Sequence, residues 1–472
     1  MQLTLTSGLD RFNRVLACPD TFLARIVTEA LGLARFDPSL VAALEQDIDM
    51  AARVAKKGRL MDRQFELEKA SPLSPLLDLP ILADLERLEA ASLALGTGRS
   101  RSVDGELLLV LLSVNSVLSL SSVPGYERLV ESEVFGALLG AQCRERPARS
   151  TLAAYLSVAS AESRQRIHEA LCRKAKAEGL DDFAEVTVDS TAVEANSAWP
   201  TDSSLVWGFL RQVYGLLGRQ AKLTGVECTS SLVERWLKQL ERLHTASSLL
   251  APRPGSVKTR RQLYRRLLQI GERSHGRLQA MLKQKRHLIE DRGVAPGLRL
   301  RLEAIMAEVA RSMEGAGKVM AAARVRVLAG GRVAAADRAF SLADPDAWMI
   351  EKGDRDPVLG YKPQIARSAH GFITAFEVLP GNPADSTRLV ELTHGHIRST
   401  GVTPCLVATN DGYSAQSNLD ALVELGVETV CFSGAKGRDL LGDPLWEGSA
   451  EIRSDRSAVE STIFTLKHMC GL

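Results

Sequence analysis

Apolar and polar positions divide the chain into three textures. From Met1 to about Asp182 the apolar residues recur at spacings of three and four, the period of amphipathic helices. Leu152, Tyr155 and Leu156 share one such face, and Ile167, Leu171 and Ala175 share another. Pro147 with Ser150-Thr151 predicts a helix start just before Leu152. The most apolar run, Leu107 to Leu120, is 14 residues long and is interrupted by Ser113, Asn115, Ser116 and Ser119. A bilayer span needs about 20 residues, so a buried core helix is predicted there.

Strict alternation first appears at Ala184-Glu185-Val186-Thr187-Val188-Asp189, which reads as a strand. Thr201 or Asp202 then caps a helix carrying Leu205, Phe209, Val213 and Leu216. Helical spacing continues to about Leu328, with breaks at Ala251-Pro252-Arg253-Pro254-Gly255 and between Gly293 and Gly297. Beyond Asp337 strands and helices alternate. Strands are predicted at Phe372 to Leu379, Cys405 to Thr409 and Val427 to Phe432. Helices are predicted from about Asp385 to His396, around Leu419, Leu422 and Val423, and from about Ser457. Such alternation builds a sheet covered by helices. The expected organisation is a helical region over 1–182, an α/β core formed by 183–199 and 331–472, and a helical insertion over 200–330 placed directly after the first strand.

With 45% apolar and 25% charged residues among 472, the composition is globular and excludes a disordered or collagen-like chain. Aromatics at 5% argue against base-stacking platforms. The seven cysteines never form a CxxC pair, which speaks against a zinc finger or a disulfide framework and for a reducing, cytoplasmic compartment. The first ten residues lack the basic and apolar runs of a signal peptide, and no membrane association is expected. The formal charge is only +2, yet residues 253–292 hold twelve basic side chains against three acids. That +9 segment, with −7 spread over the rest, predicts attraction to a polyanion. Arg144, Arg146, Arg149, Arg164 and Arg166, around the helix pair near Leu152, suit either DNA contact or a solvated face.

The residues that suggest chemistry are acids at strand ends. Asp189 follows Val186-Thr187-Val188, and Asp411 follows Leu406-Val407-Ala408-Thr409. In an open α/β sheet neighbouring strand ends converge on one crevice, so the two aspartates can face each other. Glu460 lies on the last predicted helix, with Arg456 four residues before it and Lys467 seven after, on one helical stripe. Taken singly, each has a plainer reading. A strand-end aspartate often forms a turn, as Asn410-Asp411-Gly412 does, and Glu460 with Arg456 makes an ordinary i,i+4 pair. Of the other candidates, His394-Gly395-His396 reads as structural, and Gly434-Ala435-Lys436-Gly437 lacks phosphate-loop spacing. Asp385 reads as a helix N-cap, Asp344-Pro345-Asp346 as a turn, and Cys405 and Cys431 as buried and inert.

Val188-Asp189-Ser190-Thr191, Asn410-Asp411-Gly412-Tyr413 and Arg456-x3-Glu460-x6-Lys467 together resemble the DDE transposases of bacterial insertion sequences. Val193-Glu194-Ala195-Asn196, Pro200-Thr201-Asp202-Ser203-Ser204, Ser341-Leu342-x-Asp344-Pro345-Asp346-Ala347, Lys352-Gly353, Gly360-Tyr361-Lys362-Pro363-Gln364-Ile365 and Pro380-Gly381-Asn382-Pro383-x-Asp385-Ser386 resemble the ISNCY-like group in particular. The resemblance implies a ribonuclease-H-like catalytic domain that cuts transposon-end DNA and joins the 3′-hydroxyl to target DNA by two-metal phosphoryl transfer. Asp189, Asp411 and Glu460 are the implied ligands of two Mg²⁺ or Mn²⁺ ions. Arg456 and Lys467 are the implied phosphate contacts, joined by Arg453 at a position where the family has tyrosine. Lys258, Arg260, Arg261, Arg265 and Arg266 of the insertion are expected to hold double-stranded DNA, with a homodimer bridging two inverted repeats at the nucleoid. Two other readings stand beside it: a metal-dependent nuclease of the same fold, and a non-catalytic DNA-binding remnant. The remnant follows from the chain ending 12 residues after Glu460, where relatives usually continue.

Overall fold

The computed structural model describes residues 11–19, 21–53, 103–120, 122–140, 146–197, 200–225, 230–250, 255–285, 296–351, 356–379 and 381–468. Arg144, Arg253, Arg286, Arg292, Lys352-Gly353 and Pro380 lie outside the described residues.

The described part of the N-terminal region is helical. Helices α1 (Arg11–Leu16), α2 (Phe22–Phe36), α3 (39–53), α4 (Gly105–Leu118), α5 (Val123–Glu131), α6 (Glu133–Leu139), α7 (Arg149–Leu156) and α8 (Ala161–Ala177) surround one apolar core. The apolar run is α4, whose Leu107 to Leu111 are buried against α2 and its neighbours. Asp104 caps it by accepting from Leu107 N at 2.9 Å. No described helix is long and apolar enough to cross a membrane. Two of the arginines around the Leu152 helix bond within this unit. Arg146 donates to Val130 O (2.6 Å) and Arg164 to Leu156 O (2.8 Å). Arg166 pairs with Glu162 on its own helix.

The first strand is β1 (Glu185–Ser190). It is followed by β2 (Val193–Glu194), which belongs to a separate small antiparallel sheet with β3 (Trp348–Ile350) and β4 (Val358–Tyr361), in the order β2-β4-β3. At Gly360 a Cβ would stand 1.8 Å from Val193 O, so β2 and β4 approach as closely as they do only because that residue is glycine. The insertion is therefore spliced between β2 and β3. It consists of α9 (Asp202–Thr224), α10 (Ser231–Ser248), α11 (Ser256–Lys285) and α12 (Pro296–Ala323). Thr201 caps α9, accepting from Ser204 N while Ser204 Oγ accepts from Thr201 N, each at 3.1 Å. Val206, Leu210, Val213 and Leu217 of α9 meet Leu267 and Leu278 of α11 and Val309 and Ala316 of α12 in a second core.

The main sheet has five strands, β1 with β5 (Pro363–Ser368), β6 (Ile373–Val378), β7 (Leu406–Asn410) and β8 (Thr429–Ser433), in the order β6-β5-β1-β7-β8. β1 is central. It pairs antiparallel with β5, which pairs antiparallel with β6, and parallel with β7, which pairs parallel with β8. Helices α13 (Leu389–Thr400), α14 (Gln416–Glu424), α15 (Ala435–Leu441), α16 (Asp443–Gly448), α17 (Ala450–Asp455) and α18 (Ala458–His468) complete the chain. Val186, Val188, Ala366, Leu389, Leu392, Val407 and Phe432 form the core beneath the sheet. The helix expected from Asp385 begins at Leu389, because residues 385–387 form a 3-10 turn capped by no side chain. Asp385 is not an N-cap.

His396 of α13 is fully buried, with Nδ1 2.8 Å from Thr374 Oγ1 and Nε2 3.1 Å from Phe183 O. Both ring nitrogens serve the fold, which bears out the structural reading of this histidine. Burial pushes its pKa from 6.5 down to about 4, against the opposing pull of the Phe183 carbonyl. Between those two values the unfolded chain binds the proton and the folded chain does not, so stability falls as pH drops through the window, by roughly 3 kcal/mol at pH 4. Urea denaturation from pH 7 to pH 4 should show a steeper loss in the wild type than in His396→Gln. Equal slopes would refute the buried neutral ring.

Candidate active site at the carboxyl ends of two parallel strands

β1 and β7 run side by side with Val188 opposite Thr409, so their carboxyl ends present Asp189 and the Asn410-Asp411-Gly412 turn together. Asp189 is 5% exposed. Its Oδ1 accepts from Ser190 N and from Asn410 Nδ2, both at 2.7 Å, and Arg456 Nη1 lies 3.5 Å from Oδ2. Asn410 turns its Oδ1 the other way and accepts from Gly412 N at 2.8 Å. One amide side chain thus buckles the two strand ends together.

Glu460 reaches the same end of the sheet from α18. Arg456 Nη2 is 3.6 Å from Glu460 Oε1, so the guanidinium stands between Asp189 and Glu460. Three anchors hold α18 in place. Val459 is fully buried, Arg367 of β5 donates to Thr462 Oγ1 at 2.8 Å, and Lys467 donates to Ala192 O at 2.5 Å. Asp189, Arg456, Glu460 and Lys467 are therefore brought together across the chain.

Asp411 arrives at the same end but its carboxylate faces another way. It accepts from Gly437 N at 2.8 Å and Lys436 N at 3.2 Å, the first amides of α15. Gly434, at φ 119°, makes this possible, since a Cβ there would lie 2.6 Å from Asp411 Cγ. The two aspartates do not face each other as the sequence suggests. Among the described residues no group of three or more His, Cys, Asp or Glu side chains could hold a metal ion. The oxygen chemistry of Asp189, Asp411 and Glu460 suits a hard cation, but the set as arranged does not fit a pair of Mg²⁺ or Mn²⁺ ions. The cause is local. Arg456 balances Asp189 and Glu460 from between them, and backbone amides hold Asp411.

The expected phosphate contacts divide as well. Arg453 stacks 3.6 Å from the Trp446 ring centroid and donates to Trp446 O and Ser449 Oγ, so its guanidinium serves the α16–α17 junction. In the insertion Arg260 is half-buried and donates to Leu250 O, and Arg261 donates to Val327 O. Lys258, Arg265 and Arg266 are exposed on α11, as are Arg273, Arg277 and Lys283. On that helix Glu272 is paired with Arg324.

A buried network sits directly behind the site, built from residues in the stretches that carry the family resemblance, although the sequence assigns none of them this role. Asp385 Oδ1 takes Lys362 Nζ and Gln364 Nε2, each at 2.7 Å, and Asp385 Oδ2 takes Ser190 Oγ at 3.2 Å. Tyr413 OH donates to Gln364 Oε1. Burial pushes the Tyr413 phenol far up and keeps it protonated as a donor. Lys362 precedes a strand, Pro363 to Ser368, that is buried along most of its length, and a buried ammonium group needs an acid.

The Lys362–Asp385 pair is 8% and 12% exposed. Removing one partner of so buried a pair costs about 3–5 kcal/mol. Lys362→Met and Asp385→Asn should each lower stability by about that amount, and the double variant should cost at least ~1 kcal/mol less than their sum. Strictly additive losses in urea melts would disprove the coupling.

Compared with protein-family models, with curated proteins and with solved structures, the chain shows no match.

Proposed function

We propose that the chain is a DDE-type transposase, which cuts DNA at transposon ends and joins the freed 3′-hydroxyl to target DNA. One observation carries the reading: three acids separated by long stretches of sequence, Asp189, Asp411 and Glu460, come to one end of the central sheet together with Arg456 and Lys467. A central strand flanked by an antiparallel hairpin and by parallel strands is what a ribonuclease-H-like reading requires for this meeting of strand ends. These five residues belong to the stretches whose resemblance to transposases suggests the reading.

In this reading Asp189 is oriented by Ser190 N and the Asn410 amide. Arg456, a planar fork of donors, is placed to exchange carboxylates for phosphate oxygens. Lys467 holds the carbonyl that follows β1 and fixes α18 across the site. DNA lies along the exposed basic face of α11, and a homodimer bridges two ends.

Asp189→Asn, Asp411→Asn and Glu460→Gln should each lower cleavage and joining of a labelled transposon end by at least about 100-fold while leaving DNA binding within about threefold. Running the wild type with Mg²⁺ or Mn²⁺ and with EDTA tests the two-ion cofactor that the sequence resemblance implies. Cutting without joining would replace the transposase with a nuclease. Binding without cutting would replace it with a non-catalytic DNA-binding protein.

The DNA grip has its own test. Deleting residues 253–292 would remove Tyr264, Leu267, Leu268 and Leu278 from the insertion core, so surface neutralisation is the sound experiment. Lys258→Gln, Arg265→Gln and Arg266→Gln together should reduce the slope of log affinity against log salt by about 2–3, since each phosphate neutralised by the protein contributes roughly 0.9 to that slope. An unchanged slope would remove α11 from the DNA interface.

A further inference from the structure

A second polar site lies away from the strand-end acids, where the helical insertion meets the small sheet. A cavity of about 410 Å³ opens there between the start of α9, the end of α10, α11 and the segment that leads from α12 into β3. Arg260, Arg326 and Arg338 line it, with Asp202 and Tyr264 among the other lining groups. Three guanidinium groups against one carboxylate leave an excess of positive charge. Arg326 uses part of its charge on Asp202, at 3.1 Å, and Arg260 donates to Leu250 O at 3.2 Å.

Arg338 differs from both. It is half-buried, and its guanidinium lies 4.6 Å from the Phe340 ring centroid. Among the described residues none accepts a hydrogen bond from it. A partly desolvated guanidinium gains when an acceptor meets its donors, and the described residues of the chain supply none here. Burial and the neighbouring Arg326 push the Arg338 pKa down, and Asp202 and Glu351 offset this only in part. Phosphate oxyanions match the fork geometry of guanidinium groups better than monatomic anions do.

We propose that this cavity is a binding site for a phosphate oxyanion, held by Arg338 and Arg326 with Arg260 at its edge. The oxyanion is either free phosphate or pyrophosphate, or a backbone phosphate of bound DNA. The site stands whether or not the strand-end acids act in transposition, because it shares no residue with them.

Calorimetric titration of the full chain with inorganic phosphate and with pyrophosphate tests it. Saturable one-site binding is expected. Arg338→Gln should weaken it at least about tenfold, the loss expected of one charge-assisted contact. Asp202→Asn removes the competing carboxylate and should tighten it several-fold, so the two variants move affinity in opposite directions. Arg242→Gln, an exposed arginine of α10 outside the cavity, should leave it unchanged. If a short DNA duplex excludes phosphate, the natural occupant is the DNA backbone. If duplex and phosphate bind together, it is the free ion. Absence of saturable binding with both probes, or equal weakening by Arg338→Gln and Arg242→Gln, would overturn the site.

Discussion

The architecture around the strand ends depends on one buried carboxylate. Asp385 lies in the short turn between β6 and α13, yet it ties the junction of β4 and β5 through Lys362, the body of β5 through Gln364, and the end of β1 through Ser190. Gln364 passes the connection to Tyr413, just past Asp411. Asn418 of α14 closes the ring by donating to both Ser386 O and Tyr413 O. In a low-dielectric interior such a network is costly unless every member is satisfied, and when satisfied it permits one geometry. It reinforces the ladder pairing of β1 with β5 and β7, which sets the register of Asp189.

In front of that network the acids are partly compensated from within the chain. Asp189 and Glu460 share Arg456, and Asp411 is held by the opening amides of α15. The first balance uses a mobile side chain and the second uses backbone, so they differ in how readily they change. A guanidinium can move to another acceptor by rotating about its own bonds. Releasing Asp411 instead requires its carboxylate to turn out of the niche beneath Gly434, where no side chain would fit. This difference ranks the three acids. Asp189 and Glu460 form a single responsive unit, whereas Asp411 belongs to the β8–α15 connection as much as to the site.

Local signals in the sequence locate some elements and miss others, among them β3, β4 and β5. Alternation at Val186-Thr187-Val188 marks β1, the Thr201 cap marks α9, and the apolar run after Asp104 marks α4. The meeting of Asp189 with Arg456 and Glu460 is implied only by the family resemblance, because strand-end position and helical stripe are local patterns that do not bring the two elements together. What stays hidden is non-local or lacks a side-chain signature. Lys362 and Asp385 meet only once the sheet has formed. The capture of Asp411 rests on backbone amides of Lys436 and Gly437, which no motif announces. The placement of the insertion turns on β2, a two-residue strand too short to give a periodic signal, so the sequence pattern alone puts the insertion directly after β1.

Charge separation completes the physical picture. The chain is nearly neutral overall, but α11 exposes Lys258, Arg265, Arg266, Arg273, Arg277 and Lys283, and its Glu272 is already paired. A polyanion is therefore attracted to one helix of the insertion and not to the molecule as a whole. Near the strand ends the same polyanion would meet three carboxylates, and uncompensated they would repel it. Arg456 and the α15 amides remove much of that repulsion by supplying positive charge beside each acid. Positive charge exposed on α11 and partial compensation of the acids at the sheet are thus complementary features of the chain's electrostatics.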